Sequence, residues 1–227
     1  MALRARGFEV QLAPMLRFEP VVFTGDLNGR YGGVIVTSAN ALRALEPQLD
    51  GSRLRELPLF AVGDHTAEVA RGLGFGKVFS AEGDAAALRD LVRAQASRKK
   101  ELLYLAGEDV ARDLGGQLGE YGLKIVKQTT YRMIPLTALP REVCDAFAAS
   151  RIAAVLHYSG RSARAFLDAA RADGIEISAL AVAQCCISGN VAAILREAGA
   201  TRVLVAESPD EPALFTSLER ALRAGLA

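Results

Sequence analysis

The sequence predicts an α/β protein made of two parallel-sheet domains, one of which is inserted into the other. Three observations support this prediction: alternating strand and helix patterns, an internal repeat, and the order of the repeated pieces. Short apolar runs alternate with amphipathic segments along the 227 residues, with short turns between them. Such alternation is typical of a parallel sheet that helices cover on both faces.

The internal repeat is clearest between residues 62–82 and 187–207. Each copy begins a helix in a loop, ends it at a glycine (Gly74 or Gly199) and continues into a short strand. A second pair of segments, 35–44 and 156–165, shares a serine, an arginine and a final alanine. Repetition over this distance indicates two copies of one structural unit.

A third and weaker repeat relates residues 118–126 to residues 3–11, with Gly122 matching Gly7. The later segment closes one unit, whereas its counterpart opens the chain. This order predicts an inserted domain and a discontinuous domain. The predicted bounds are 21–130 for the inserted domain, 1–18 plus 133–227 for the other, and 14–22 and 129–136 for two linker strands that run side by side.

Each element of the inserted domain follows from apolar runs and capping residues. Ser38 and Asp84 are good N-caps, and Gly74 and Gly122 each end a helix. The predicted strands are 32–36, 57–62, 77–80, 101–106 and 124–128. The predicted helices are 39–45, 67–73, about 84–96 and 110–121.

The discontinuous domain opens with the end of a helix (residues 3–6), a cap at Gly7 and a strand at 8–13. Its remaining predicted helices are 141–149, 162–172, 191–198 and 211–224, and its strands are 153–158, 179–187 and 202–205. By the repeat, the counterpart of residues 102–117 falls ahead of Met1. Either this half is built differently, or, as we expect, about fifteen residues of this unit are missing there.

Composition narrows the classes of function. The net charge of +1, the 6% of aromatic residues and the lack of tryptophan do not favour binding to nucleic acid or an anionic membrane. Three cysteines, two of them adjacent, fit a reducing compartment rather than a disulfide framework. No apolar run reaches the length of about 18 residues that a membrane span needs, and the N-terminus lacks a signal-peptide pattern. We therefore expect a cytoplasmic protein.

Candidate binding residues lie where strands end and helices begin. In open parallel sheets ligands bind at the carboxyl ends of strands, and helix N-termini there favour anions. The corresponding loops are 37–38, 63–66, 106–108, 158–161 and 188–190. By loop position, Gly63, Ser188 and Asn190 are candidates. Ordinary helix capping is the alternative for each loop, and the sequence leaves it open.

Familiar catalytic patterns do not fit. His157 precedes Ser159 by two residues on one strand, which is not the geometry of a catalytic triad. Cys185 and Cys186 point to opposite faces of a strand, so we expect core packing rather than a shared metal. His65 lies in a helix-opening loop. Its role is left open by the sequence: it can face solvent, cap the helix or take part in catalysis. Tyr131 lies on the returning linker, where its role is either packing or, through its phenol, the donation of a proton.

Taken together, these segments resemble the uroporphyrinogen-III synthase family over essentially the whole chain. The matching segments are 37–41 (TSANA), 62–67 (VGDHTA), 130–132 (TYR), Ser159 after its strand, and 203–209 (VLVAESP) before the closing helix. The resemblance implies two flavodoxin-like domains joined by a two-stranded linker, with the active site between them. It also implies cyclisation of hydroxymethylbilane to uroporphyrinogen III, with loss of water and inversion of ring D.

The family match adds Ser38, Thr66, Tyr131 and Ser159 to the candidates, with Tyr131 as the catalytic acid. In the second half the counterpart of Thr66 is Val191, so a hydroxyl contact is lost there. The resemblance implies no cofactor or metal, a linear tetrapyrrole substrate, a monomer, and transient contact with hydroxymethylbilane synthase. Two alternatives remain open: a non-catalytic two-domain module that binds a small anion, and an inactive paralogue of the same fold.

Overall fold

The chain folds into two compact units of helices and mainly parallel strands. The computed structural model describes residues 2–109 and 113–224. Unit 1 contains the residues up to Arg17 and from Ile134 onward, and unit 2 contains Phe18–Met133. Within the described ranges, no helix combines the length and apolar character needed to cross a membrane. The correspondence of the units to one inserted and one discontinuous domain stays a prediction drawn from the repeat.

The helices and strands alternate as predicted. The strands are β1 (Leu16–Pro20), β2 (Gly33–Val36), β3 (Pro58–Ala61), β4 (Lys77–Ser80), β5 (Leu102–Gly107), β6 (Ile125–Pro135), β7 (Ala154–His157), β8 (Ala183–Cys186) and β9 (Val203–Val205). The helices are α1 (Ala2–Ala5), α2 (Ala39–Leu45), α3 (Asp64–Gly72), α4 (Ala85–Gln95), α5 (Leu114–Glu120), α6 (Arg141–Ala148), α7 (Gly160–Ala172), α8 (Glu176–Ala181), α9 (Gly189–Glu197) and α10 (Glu211–Ala224). The predicted helix 110–121 is partly outside the described residues.

The strands form two sheets. The larger has the order β1-β6-β5-β2-β3-β4, and the smaller has the order β7-β8-β9. Strands β2 to β5 and the first part of β6 pair in parallel, as do β7, β8 and β9. Every residue of β2 and β5 is buried, because helices cover both faces of the larger sheet. The predicted α/β class with parallel sheets is confirmed.

The two extended linker segments pair with each other. The amide of Leu136 donates to the carbonyl of Met15 at 2.9 Å, and that of Val21 donates to Thr130 at 2.7 Å. Residue numbers rise along one strand and fall along the other, so β1 and the second part of β6 are antiparallel. A two-stranded link is therefore present, as the fold class predicted.

The internal repeat extends to strand register. Strand β7 begins and ends 121 residues after β2, and β8 begins and ends 125 residues after β3. Val34 pairs with Leu59 in unit 2, and their counterparts Val155 and Gln184 pair in unit 1. Gly74 and Gly199 end their helices with positive φ angles of 88° and 99°, a backbone conformation that favours glycine. The two units therefore repeat one local structure.

One predicted strand, residues 179–187, is wrong in its first part. Helix α8 runs to Ala181, and β8 begins only at Ala183. The side-chain nitrogen of Gln184 donates to the carbonyls of Ala179 at 2.7 Å and Val182 at 3.1 Å. These bonds satisfy carbonyl groups at the end of the helix, where no further helical turn can do so. An apolar run of this length fits a helix or a strand, and here it is divided between them.

The predicted strand at 8–13 is also wrong, because this segment pairs with no strand among the described residues. Phe8 and Val10 are partly buried and alternate with the exposed Glu9 and Gln11, which is a strand-like pattern. This segment and β7 both line a cavity of about 640 Å³. The segment is extended, but no strand within residues 2–109 and 113–224 lies in position to pair with it.

A buried polar pair links β7 and β8. His157 Nε2 lies 2.8 Å from Oε1 of Gln184, and both residues are buried. The Gln184 nitrogen already donates to two carbonyls, so its oxygen accepts and His157 Nε2 carries the proton. Burial lowers the pKa of His157, and the hydrogen bond to Gln184 opposes this only in part. The imidazole is therefore neutral in the folded protein at neutral pH.

This pair predicts acid-sensitive stability. The unfolded chain protonates His157 near its usual pKa of about 6.5, whereas the folded chain resists protonation. The free energy of unfolding should therefore fall as pH drops below about 6.5, by up to about 1.4 kcal/mol per pH unit, until the folded-state pKa is passed. Urea unfolding at a series of pH values measures this slope. His157→Asn should remove the contribution of His157 to the slope of unfolding free energy against pH. His65→Asn, at an exposed site, should leave that contribution in place.

Candidate functional site

The candidates of unit 2 meet at one edge of the larger sheet. Strands β5, β2 and β3 are neighbours and parallel, so their carboxyl ends lie side by side. The amide of Val62 donates to the carbonyl of Val36 at 3.1 Å, which places Gly63 beside Thr37. The loops after β2 and β3 carry Ser38 and Gly63, and Thr66 lies in the first turn of α3, which follows Gly63. The structure therefore brings these three predicted residues to a single edge.

The helix N-termini at this edge differ in their caps. Ser38 caps α2, and its Oγ accepts a hydrogen bond from the amide of Asn40 at 3.2 Å. Gly63 caps α3 without a side chain, and Thr66 is only 6% exposed in the first turn. His65 is exposed and points away from the core. Capping is thus a real role for Ser38, while its hydroxyl hydrogen can still be donated to a ligand.

Tyr131 is held between a ring and a glycine. The rings of Phe18 and Tyr131 stack with centroids 5.7 Å apart and an interplanar angle of 28°. Gly107, the last residue of β5, lies close to Tyr131: a Cβ there would be 2.8 Å from Tyr131 Cζ and 3.0 Å from its Oη. Such separations are too short for a side chain to be present. The glycine therefore gives the phenol room at the carboxyl end of β5.

A bulge in β6 directs Tyr131 to this position. Ala106 pairs with Thr129 but Gly107 pairs with Tyr131, so Thr130 is an extra residue in β6. Thr130 is fully buried, and its Oγ1 donates to the carbonyl of Ala106 at 3.3 Å. The amide of Glu108 then donates to the carbonyl of Tyr131 at 2.9 Å. Bulges re-aim side chains, and this one places the phenol beside the end of β5.

Sequence reasoning missed Tyr104. Its hydroxyl lies 3.3 Å from Thr37 Oγ1, and the residue is only 3% exposed. Burial raises the pKa of Tyr104, and the hydrogen bond to Thr37 opposes the rise. Electrostatic coupling between the Tyr104 and Tyr131 phenols also raises the pKa of Tyr104. The sequence signal was a single tyrosine in an otherwise apolar strand, a position that usually indicates core packing.

In unit 1, Ser159, Ser188 and Asn190 meet at the carboxyl edge of the smaller sheet. The amide of Ile187 donates to the carbonyl of His157 at 3.0 Å, which brings the two loops together. Ser159 caps α7 by accepting from the amide of Ser162 at 3.1 Å, whereas Ser188 caps α9 without a side-chain bond. Asn190 is exposed in the first turn of α9. The predicted residues therefore form two groups, one in each unit.

Tyr158 also lies at this edge, next to Ser159. Its hydroxyl donates to Glu211 Oε1 at 2.9 Å, at the first residue of α10. Burial, followed by the hydrogen bond and the negative charge of Glu211, raises the pKa of Tyr158 to about 12. The phenol is therefore protonated at neutral pH and fixed to the start of α10.

Glu211→Gln tests this coupling. Removing the negative charge should lower the pKa of Tyr158, but the value should stay above the usual 10 because burial persists. An NMR pH titration of ¹³C-labelled tyrosine, with Tyr158→Phe for assignment, measures the change. An unchanged pKa would show that Glu211 makes no contribution.

The adjacent cysteines pack on opposite faces of β8, as predicted. Cys185 lies against Leu214 and Leu218 of α10, and Cys186 lies in the cluster on the other face with Leu195. Within residues 2–109 and 113–224, no three His, Cys, Asp or Glu side chains come close enough to hold a metal ion.

Comparisons with known proteins decide the family. The family model described as uroporphyrinogen-III synthase HemD matches residues 1–216. The chain belongs to the uroporphyrinogen-III synthase family. A search of curated protein sequences finds no significant match.

Solved structures of this family share the fold. The Helicobacter pylori uroporphyrinogen-III synthetase is 22% identical, with a TM-score of 0.68 and coverage of 92% of this chain and 91% of that one. A mutant uroporphyrinogen-III synthase from Thermus thermophilus is 18% identical, with a TM-score of 0.54 and coverage of 97% and 92%. At these identities the likeness shows the fold of a uroporphyrinogen-III synthase.

Proposed function

We propose that this chain is a uroporphyrinogen-III synthase that cyclises hydroxymethylbilane to uroporphyrinogen III, with loss of water and inversion of ring D. The observation that carries the proposal is the family match over residues 1–216. The phenol of Tyr131, at the carboxyl end of β5 and therefore at the same sheet edge as Ser38 and Gly63, supports it with a group suited to the first step.

Tyr131 is the proposed general acid. Its phenol donates a proton to the hydroxyl group of the substrate as the carbon–oxygen bond breaks, so the hydroxyl leaves as water. The electron pair of the adjacent pyrrole nitrogen forms the azafulvene electrophile. Ring D then attacks this carbon with the α-carbon that already carries the bridge from ring C, which gives a spiro intermediate. The bond between that α-carbon and the bridge carbon breaks, the bridge carbon bonds to the free α-carbon of ring D, and that α-carbon loses its proton, which leaves ring D inverted. The phenol of Tyr131 is regenerated when a proton returns to its phenolate.

Holding the substrate is the second task of the site. The substrate carries eight carboxylates by its chemistry, and exposed amides at helix N-termini bind such groups. Ser38 and Gly63 in unit 2, and Ser159, Ser188 and Asn190 in unit 1, stand at such N-termini. Thr66 is nearly buried in the first turn of α3. We therefore propose that the contact with substrate is made by this helical turn. Fixing a flexible chain in this way lowers the entropic cost of ring closure.

We also infer that the protein works in the cytoplasm as a monomer and receives its substrate through transient contact with hydroxymethylbilane synthase. Three free cysteines support a reducing compartment.

The decisive experiment is incubation of the protein with freshly made hydroxymethylbilane, followed by separation of the uroporphyrin isomers. An excess of the type III isomer over the spontaneously formed type I ring is expected. Type I alone, with measurable binding of the tetrapyrrole, would instead indicate a binding module. Type I alone with no binding would indicate an inactive paralogue.

A further inference from the structure

A second cavity lies in unit 2, at the amino ends of its parallel strands. Its volume is about 310 Å³. The residues that line it come shortly before the strands: residues 29–31 before β2, residues 53, 56 and 57 before β3, and Lys100 before β5. Ser38 and Gly63 follow the other ends of β2 and β3. A strand of four residues spans about 13 Å, so this cavity is separate from the candidate site of unit 2.

Three cationic side chains surround the cavity. Arg30, Arg53 and Lys100 line it, and all three residues are exposed. Among the described residues that line the cavity, Glu56 supplies the one carboxylate, which lies 3.8 Å from Arg53 Nε. Three positive charges and one negative charge give the lining a formal charge of +2. Like charges in one hollow repel each other, and a bound anion offsets that repulsion.

Two of these cations have no carboxylate partner within the protein. Within residues 2–109 and 113–224, neither Arg30 nor Lys100 forms an ion pair. The carboxylate of Asp26, in the loop before β2, accepts a hydrogen bond from the amide of Asn28 at 2.9 Å. It therefore has a partner within its own loop. The hydrogen-bond donors of Arg30 and Lys100 are available to a ligand.

Hydrogen bonds hold the walls of the cavity in place. Ser52 Oγ donates to the carbonyl of Leu27 at 3.1 Å, which ties the turn before β3 to the loop before β2. The amide of Gly32 donates to the carbonyl of Glu101 at 2.8 Å, which ties that loop to the segment before β5. A Cβ on Gly32 would lie 3.0 Å from Cβ of Lys100, so the lysine side chain starts against this backbone. A frame fixed in this way lowers the entropic cost of binding.

We propose that this cavity binds a small phosphate compound, whose phosphate group is held by Arg30, Arg53 and Lys100. Guanidinium groups form paired hydrogen bonds with phosphate oxygens, and lysine adds a compact charge. A phosphate group carries a charge of about −1.5 to −2 at neutral pH, which matches the +2 of the lining. The volume of about 310 Å³ is in the range of small-molecule sites, and Tyr31 lines the cavity beside the cations. This inference does not depend on the proposed catalytic function.

Titration of the ¹⁵N-labelled full chain with sodium phosphate tests the site, with sodium chloride adjusted to keep the ionic strength constant. The NMR signals of the amides of residues 29–31 should shift and reach saturation. Those of Ser38 and Gly63, at the other ends of the strands, should not shift. Shifts of Ser38 and Gly63 as large as those of residues 29–31, or no saturable shift at residues 29–31, would overturn the proposal.

Lys100→Gln and Lys99→Gln are a matched pair of variants. Each removes one positive charge from an exposed residue, but of the two only Lys100 lines the cavity. Lys100→Gln should raise the dissociation constant for phosphate by about tenfold, because it removes a charged hydrogen-bond donor. Lys99→Gln should change that constant by less than about twofold. Equal effects of the two variants would refute a site at this cavity.

Glu56→Gln should have the opposite effect. It removes the carboxylate that competes with a ligand for Arg53, so the dissociation constant for phosphate should fall by about threefold or more. Glu68→Gln makes the same change at an exposed position of α3 that does not line the cavity, and should leave the constant unchanged. Weaker binding of phosphate by Glu56→Gln would refute the proposal. Melting without phosphate checks that each variant is folded.

Two further ligands define the chemistry of the site in the same titration. Glycerol 3-phosphate should bind more tightly than inorganic phosphate, because its organic part contacts Tyr31, and this result assigns the site to a phosphate ester. Equal binding assigns the site to inorganic phosphate. Malonate spreads its two charges over two planar groups, so it should bind about threefold more weakly than phosphate or worse. Malonate binding as tight as that of phosphate would overturn the assignment to phosphate.

Discussion

Replacing Tyr131 by phenylalanine is expected to lower kcat for uroporphyrinogen III formation by about a hundredfold or more, with little change in KM. The ring stays stacked on Phe18 and packed over Gly107, so the substitution removes only the proton donor. The measurement is the initial rate of type III isomer formation from fresh hydroxymethylbilane. The spontaneous type I product serves as an internal reference for substrate quality.

Tyr121→Phe is the matched control, because it makes the same change in unit 2. Its ring lies at the C-terminal end of α5 and stacks with the guanidinium of Arg93, whose carbon is 3.8 Å from the ring centroid. The control should keep the parental rate. If Tyr131→Phe also keeps that rate, the proton donor is another group.

Gly107→Ala is expected to lower kcat by about tenfold to a hundredfold, while the chain stays folded. The added Cβ would lie 2.8 Å from Tyr131 Cζ, so the phenol has to move away from the end of β5. A small displacement of a catalytic group is enough to cost this much, because proton transfer depends on near-contact geometry. A tyrosine-selective NMR spectrum of the variant should show a shifted Tyr131 resonance.

Gly119→Ala controls for the general effect of an added methyl group. Gly119 lies in α5, and a Cβ there would meet no atom within 4 Å. This variant should match or slightly exceed the parental stability, since alanine favours a helix. If the Gly107→Ala enzyme keeps the parental kcat and its Tyr131 resonance does not shift, then Gly107 does not position the phenol.

Local signals in the sequence were sufficient to predict most of the fold. Serine and aspartate caps and glycine stops mark helix ends through bonds within a few residues, so Ser38, Asp84 and Gly74 were predicted correctly. The repeat placed β7 and β8 because the same pattern occurs in β2 and β3. The repeat also predicted where strands end and helices begin. The positions of Gly63 and Ser159 followed from those boundaries.

The errors arose where the outcome depends on distant residues. Residues 8–13 have the alternating pattern of a strand, yet a strand forms only if a partner lies beside it. The boundary between α8 and β8 depends on bonds from the Gln184 side chain. Tyr104 was not predicted because its partner Thr37 is 67 positions away in the chain. The bulge at Thr130 is invisible to sequence periodicity, although it sets the position of Tyr131.

All three cysteines of the chain, Cys144, Cys185 and Cys186, belong to unit 1. Cys185 and Cys186 are buried, and burial raises the pKa of both thiols, whereas Cys144 is partly accessible. Only a thiolate reacts with alkylating reagents, and burial keeps these two thiols protonated and out of reach of the reagent. They will therefore react when unit 1 opens. The rate at which Cys185 and Cys186 are alkylated therefore reports the opening of unit 1 in the unmutated protein, and unit 2, which has no cysteine, contributes no signal.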